Sequence, residues 1–195
     1  MINETDRSVK KRKVAWGITG SGDKLRETLD VMKEIKLQYE HVVTVEVYLS
    51  KAAEQVAKYY RLTEDLNQNF GRVTVEVDSN SPFLAGWLQT GKYEFLLIAP
   101  ATSNTVAKIS AGIADTLLSN AAIMALKGLV PVYIMPSDYK EGLTHTLLPG
   151  SQNIALKVRR EDVDNVRKLK GMEGVFVLEK LQNIRKVFKK HFEHD

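Results

Sequence analysis

Thr102, Ser103, Asn104 and Thr105 follow one another at the end of an apolar run, "LLIAPATSNT", interrupted only by Pro100. Hydroxyl and amide groups in that position supply donors and acceptors for a small polar ligand, or they cap a helix. A second stretch, "GITGSGDKL" from Gly17 to Leu25, has a different chemistry to offer. Glycines let backbone N–H groups approach an anion, and the start of a helix favours negative charge, so Thr19, Gly20, Ser21 and Gly22 are candidate phosphate partners. Two known glycine loops do not fit. A Walker A loop needs Lys and then Ser or Thr after its last Gly, whereas Asp23 follows Gly22 and Leu25 follows Lys24. A dinucleotide fingerprint needs G-x-G-x-x-G, and Thr19 or Leu25 breaks it in either register. It also wants an acid at the tip of the second strand for a ribose hydroxyl, where this chain has Leu49 and Ser50. A hydroxyl there suggests a phosphate nearby. Taken singly, each loop is also readable as a plain strand-to-helix turn.

The elements that must position these residues alternate short β-branched runs with longer amphipathic segments, the pattern of a parallel sheet covered by helices. Strands are predicted at Lys13–Ile18, His41–Leu49, Arg72–Val77, Tyr93–Ala99 and Leu129–Met135. Asp23–Gln38 reads as the first helix, with Leu25, Leu29, Met32 and then Ile35 or Lys36 at helical spacing, and Ser50 is the expected N-cap of a second helix ending at Tyr60. Ser81–Gln89 reads as a short helix and Gly112–Gly128 as a largely buried one. The expected fold is a Rossmann-like, doubly wound α/β/α sandwich forming a single domain, with a core over about 13–136. Beyond Tyr139 a loop running to Asn153 leads into strand and helix signals at Ile154–Val158, Arg160–Met172, Gly174–Leu178 and Glu179–Phe192. These fit either extra strands on the same sheet or, the reading adopted here, a small C-terminal appendage over about 139–195.

In a doubly wound sheet, ligands sit beyond the carboxyl ends of the strands where the strand order reverses. The first loop, Ser50 and the Pro100–Thr105 stretch all fall at such ends. Three loops of this kind converging on one crevice describe a mononucleotide phosphate site with a planar ring alongside. Pro100 and Ala101 would keep its wall flat, while Thr102, Ser103, Asn104 and Thr105 supply donors and acceptors.

Composition removes alternatives. The 195 residues include no cysteine, which excludes disulfides, thiolate nucleophiles and Cys-ligated clusters or zinc, so redox work needs a borrowed cofactor. A net charge of +4 is modest, and the basic run "RSVKKRK" has no aromatic platform beside it, so it reads as a solvated terminus and not as a nucleic-acid arm. No apolar segment approaches the ~20 residues that span a bilayer, and the charged start lacks the apolar stretch of a signal peptide, so the expected location is the cytoplasm.

The stretch "APATSNTVAKISAGIADTLLSNAAIMALKG" resembles the P-A-S-A-N-T loop and following helix of the homo-oligomeric FMN flavoproteins, a family that includes cysteine decarboxylases and flavin prenyltransferases. The likeness covers about Lys13 to Pro136. "IMPSD" and "KVRREDVDNVRKLKGMEGVFVLE" are most similar to the archaeoflavoprotein branch, close to dihydromethanopterin reductases. The resemblance implies bound FMN, its phosphate on Gly20, Ser21, Gly22 and Ser50 and its ring edge against Ala101 to Thr105. It also implies trimers, or assemblies of them, with FMN at a subunit boundary.

Two departures from the family pattern count against decarboxylation. The decarboxylases carry a His on the short helix that here reads "SPFLAGWLQ", and their methionine-bearing clamp is replaced by Pro136, Ser137 and Asp138. His41, His191 and His194 fall in a loop and a charged tail, and His145 in a loop segment. Asn104, the family's substrate-carboxylate contact, is retained. The expected function is an FMN oxidoreductase that takes electrons from a ferredoxin or similar carrier. Reduction of a pterin such as dihydromethanopterin is the alternative, with Trp16, Trp87 or Tyr139 as stacking candidates, and a non-redox nucleotide-binding protein is the third reading.

Overall fold

The computed structural model describes residues 11–150 and 152–193. Six strands form one parallel sheet in the order β3-β2-β1-β4-β5-β8: β1 (Arg12–Ile18), β2 (Val43–Leu49), β3 (Val73–Val75), β4 (Phe95–Ala101), β5 (Val132–Pro136) and β8 (Val175–Val177). All residues of β4 and β5 are buried, as is β1 from Val14 onward. Burial on both faces is what near-continuous apolar runs in a parallel sheet require. The chain winds outward from β1 to β3, then returns to the other side of β1 as β4. The reversal point lies between the tips of β1 and β4.

Two cores result. On one face α1 (Leu25–Gln38), α2 (Lys51–Tyr59), α3 (Thr63–Asn69) and α8 (Gln182–Phe192) bury Leu29, Met32, Leu66 and Phe188 against Trp16 and Phe95. On the other, α4 (Leu84–Gln89), α5 (Ser103–Ser110), α6 (Leu117–Lys127) and α7 (Arg160–Lys170) cover Ala15, Tyr48, Leu96 and Ile98. The doubly wound α/β/α architecture expected from the alternation is the one observed.

Several local expectations differ, each for an identifiable reason. α1 begins at Leu25 because Lys24 adopts a left-handed conformation, φ 58°. The polar row after Ala101 is itself the start of a helix: Thr102 accepts the Thr105 N–H and caps α5, so the segment from Gly112 to Thr116 links two helices. The polar helix α3, in which only Leu66 is buried, carried too few apolar positions to signal itself. Beyond Tyr139 both open placements are used. Val175–Val177 is an extra strand on the main sheet, while the stretch read as a loop forms β6 (Gly142–Leu147), paired antiparallel with β7 (Asn153–Val158) as a separate hairpin. Of the basic run, Arg7 to Lys10 lie outside the described residues, as does His194.

His191, expected in a charged tail, instead packs against the sheet from the last turn of α8. Its Nε2 lies 2.9 Å from the Tyr133 hydroxyl, its ring 4.8 Å from that of Phe95, and the Arg12 guanidinium donates to its carbonyl. Burial lowers its pKa from the ordinary 6.5; Lys190 and Arg12 push the same way, and Glu94 opposes them. The unfolded chain therefore takes up a proton at a pH where the folded chain does not, and stability falls as pH drops below about 6.5. Thermal midpoints recorded from pH 7.5 to 5 should decline through this window, and His191→Gln should flatten the decline. A wild-type profile level down to pH 5 would contradict the burial of this imidazole.

Candidate functional site

The strand tips are bound to one another before any ligand is considered. Pro100 has no N–H, and the pairing of β4 with β5 shifts register between Ile98 and Ala101. On the other side of β4, Thr19 at the tip of β1 ties the turn down. Its Oγ1 donates to the Pro100 carbonyl (2.9 Å), its backbone N–H reaches the same oxygen (3.2 Å), and its Oγ1 accepts the Thr102 N–H (2.8 Å). Trp16 Nε1 holds the preceding carbonyl of Ala99 at 2.8 Å. Further along the sheet edge, Ser50 N–H donates to Ile18, Glu76 N–H to Leu49 and Ser137 N–H to Ala101. The first loop then passes close over α2: a Cβ on Gly20 would lie 2.6 Å from the Ala52 Cβ, and one on Gly22 would strike the Tyr60 ring. At Gly20, where the obstacle is the Cβ and backbone of α2, only glycine allows that approach.

Two cavities open on this edge, and Gly20 and Thr102 line both. One, of about 310 Å³, lies between the first loop and the starts of α2, α5 and α6, with Ser50, Glu76, Asn104 and Thr116 on its wall. The other, about 200 Å³, lies beneath the β6–β7 hairpin and is lined by Ser21, Asp23, Ser137, Asp138, Thr144 and Thr146. Ser137 Oγ donates to Ser21 Oγ at 2.6 Å, and Ser103 Oγ donates to Asp138. Burial raises the pKa of Asp23, opposed by Lys24, whose ammonium is 3.6 Å away; Glu27 and Asp138 add to the rise.

The residues singled out from sequence therefore converge, but in different roles. Pro100, Ala101, Thr19 and Thr105 are buried, and the Thr19 hydroxyl is fully engaged in the β1–β4 staple. Ser50 accepts the Ala53 N–H (3.0 Å) as the cap of α2, and Thr102 caps α5. Gly20, Gly22 and Ser103 are half-buried and Ser21 nearly buried, while Asn104 is exposed on the cavity wall. Of the stacking candidates, Trp16 is fully buried against Phe70, and Trp87 packs with Phe83 under Arg72. Neither lines these two cavities, and no histidine does among the described residues.

Sequence reasoning missed Glu76. Its carboxylate accepts the N–H of Lys51 (3.1 Å) and of Leu117 (2.8 Å), the first residues of α2 and α6. An acid was sought at the tip of the second strand and not found there; it arrives from the neighbouring tip of β3. Knowing that β3 lies beside β2 would have pointed to it, and strand order is not written in a single sequence. Thr144 and Thr146 were missed because their segment reads as a loop.

The family model described as Flavoprotein matches residues 2–188. An uncharacterized protein of Methanocaldococcus jannaschii is 51% identical over 181 residues, covering 93% of this chain and 96% of that protein. The dihydromethanopterin reductase (acceptor) of the same organism is 43% identical over 144 residues, or 70% of this chain and 58% of the relative, so the match spans less than two thirds of that enzyme. Among solved structures, DmrB of Burkholderia xenovorans, in complex with FMN and described as a cubic protein cage for redox transfer, is 31% identical. It superposes with a TM-score of 0.78 over 93% of this chain and 96% of its own.

Replacing Thr19 with Val keeps the side-chain shape and deletes the hydroxyl, leaving the Thr102 N–H without its partner. Urea unfolding should report a loss of about 1–3 kcal/mol, two hydrogen bonds of the Thr19 hydroxyl removed at about 0.5–1.5 kcal/mol each. A variant as stable as the parent would mean the staple contributes nothing.

Proposed function

The chain belongs to the flavoprotein family, and from that premise we propose that it binds FMN in the crevice at the β1 and β4 tips and works as an FMN-dependent oxidoreductase. The observation that carries the reading is the Gly20–Gly22 loop, which meets a hydroxyl-lined, two-part crevice at the point where strand order reverses. The fit is testable on the geometry. A Cβ at Gly20 would press into Ala52, so the backbone at this turn is bare where an anion would approach. Ser21 accepts a hydrogen bond from Ser137 and keeps its own O–H to donate.

In this reading Gly20, Ser21 and Gly22 hold the phosphate with Ser50 at the same mouth, while Pro100 and Ala101 form the flat wall. Thr102, Ser103, Asn104 and Thr105 line the approach to the ring edge, as does Thr19 through the position it imposes on the Pro100 turn. FMN supplies the exchange of one or two electrons. What the protein adds is binding, orientation and exclusion of water, the last helped by the hairpin that carries Thr144 and Thr146 over the second cavity. Electrons would come from a ferredoxin or similar acidic carrier, which the basic balance of the chain suits. Reduction of a pterin is a second reading, favoured by the two relatives named dihydromethanopterin reductase (acceptor). We further propose a homo-oligomer, a trimer or an assembly of trimers, acting in the cytoplasm as one domain. Among the described residues no helix is long and apolar enough to cross a membrane.

Protein mixed with FMN and freed of excess by gel filtration should retain flavin absorbance and bleach on dithionite addition. Ser21→Ala should weaken FMN about ten-fold or more, one lost hydrogen bond to a charged group, and leave riboflavin affinity nearly unchanged. Equal loss for both ligands would move the phosphate away from Ser21. Turnover of a dihydropterin by the reduced flavoprotein would select the second reading, and its absence would leave electron transfer. Reduction by ferredoxin should slow as salt rises, since charge-guided docking is screened; a salt-independent rate would remove the acidic carrier.

A further inference from the structure

The basic run that ends in β1 has no part in the FMN reading, and the fold gives it a place of its own. Lys11, Arg12 and Lys13 stand where β1 begins, and the turn from α4 into β4 brings Gly91, Lys92 and Glu94 beside them. Together these residues line a cleft of about 510 Å³. β1 runs from Arg12 to Ile18, so at about 3.3 Å per residue the cleft lies roughly 20 Å from the strand tips, at the opposite edge of the sheet. We infer that it binds the di- or triphosphate group of a small molecule, at a site separate from the FMN crevice and independent of the FMN reading.

Charge selects the class of ligand. Four cations, Lys11, Arg12, Lys13 and Lys92, share the cleft with one carboxylate, Glu94, an excess of three in a chain whose whole net charge is +4. Lys11 and Lys92 make no ion pair among the described residues, so their donors are available to an anion. A phosphate monoester carries about −1.5 to −2 and leaves part of that excess unmatched. Two or three linked phosphates match it, and they extend far enough to meet cations on both the β1 wall and the α4–β4 wall.

Two of the cations are held in place in advance. The Arg12 guanidinium donates to the His191 carbonyl and lies 4.3 Å over the Phe192 ring, with Nε 3.5 Å from Glu94. That Nε is buried and makes no hydrogen bond. A buried donor without an acceptor calls for a partner that the chain itself does not supply. Lys13 is held by Glu46 at 2.8 Å. Groups already fixed lose little freedom on binding. A nucleic-acid strand fits less well, because sequence-tolerant strand binding uses aromatic faces free to stack bases. Trp87, the ring beside Lys92, already carries Arg72 at 5.0 Å and Lys92 at 5.5 Å and meets Phe83 edge-on.

Titration calorimetry at low salt with inorganic tripolyphosphate, pyrophosphate and phosphate should be run on three proteins. These are wild type, the double variant Lys11→Ala/Lys92→Ala, and a control with the same change of charge on exposed residues of the hairpin and α7, Lys157→Ala/Lys168→Ala. Wild type should bind tripolyphosphate most tightly and phosphate least. The cleft variant should lose about ten-fold or more for tripolyphosphate, two charged contacts removed, while the control loses less than about two-fold. Equal losses in both variants would overturn the inference, since net charge alone would then account for binding. Undiminished binding in the cleft variant would overturn it by placing the anion elsewhere, as would no binding by wild type. A single-stranded oligonucleotide that displaces tripolyphosphate at lower concentration would give the cleft to a nucleic-acid strand and overturn the small-molecule class.

Discussion

The bond between Thr19 and the Pro100 carbonyl is the constraint on which the candidate site depends. Proline at a strand tip removes one ladder donor and forces a register shift against β5. The regular pairing of β1 with β4 ends at Gly17 and Ile98, so the tips beyond it need their own tie at the reversal point of the sheet. Thr19 provides it by supplying two donors to one carbonyl and one acceptor to Thr102. One buried threonine therefore fixes how the glycine loop stands relative to the polar row, and both cavities inherit that spacing.

The parts of this arrangement that were legible in the sequence are those fixed by burial or by backbone freedom. β1, β4 and β5 announce themselves because both faces of each are covered, and the first loop does because only glycine passes Ala52. Ser50 was legible as a cap, since serine before a helical pattern has a local cause. What depends on order within the sheet was not legible. Glu76 is an ordinary acid at the end of a weak strand until β3 is set beside β2. The hairpin was hidden because Thr144, His145 and Thr146 follow one another in β6 without an apolar alternation and most of β7 is exposed, which reads in a sequence as a loop.

Polar groups buried elsewhere show by contrast what a closed network looks like. Glu46, within β2, accepts from Lys13 (2.8 Å), Tyr48 (3.0 Å) and Tyr93 (2.6 Å), and the two tyrosine hydroxyls meet at 2.6 Å. Burial alone would raise the Glu46 pKa, but the bonds from Lys13, Tyr93 and Tyr48 together bring it below its ordinary value. Tyr48 is pushed up to about 12, chiefly by burial. None of these residues lines either cavity at the strand tips: the cluster joins β1, β2 and the segment before β4. Glu76 differs in being only half-buried, held by two backbone donors and facing a cavity.

The choice of hydroxyls at the crevice follows from the same accounting of donors and acceptors. Ser50, Thr102 and Thr116 are the N-caps of α2, α5 and α6, and each caps by accepting a backbone N–H at its oxygen. Capping uses a lone pair and leaves the O–H proton free to point elsewhere. A hydroxyl can therefore hold a helix end and donate to a ligand at once. Aspartate would cap equally well, but it has no proton to give and would repel an anion. In the cavity beside α2 the chain places one carboxylate, Glu76, where two helix ends need a counter-charge, and hydroxyls at Ser50, Thr102, Thr105 and Thr116 around it. That division suits a ligand with one charged end, a hydroxylated middle and a flat ring.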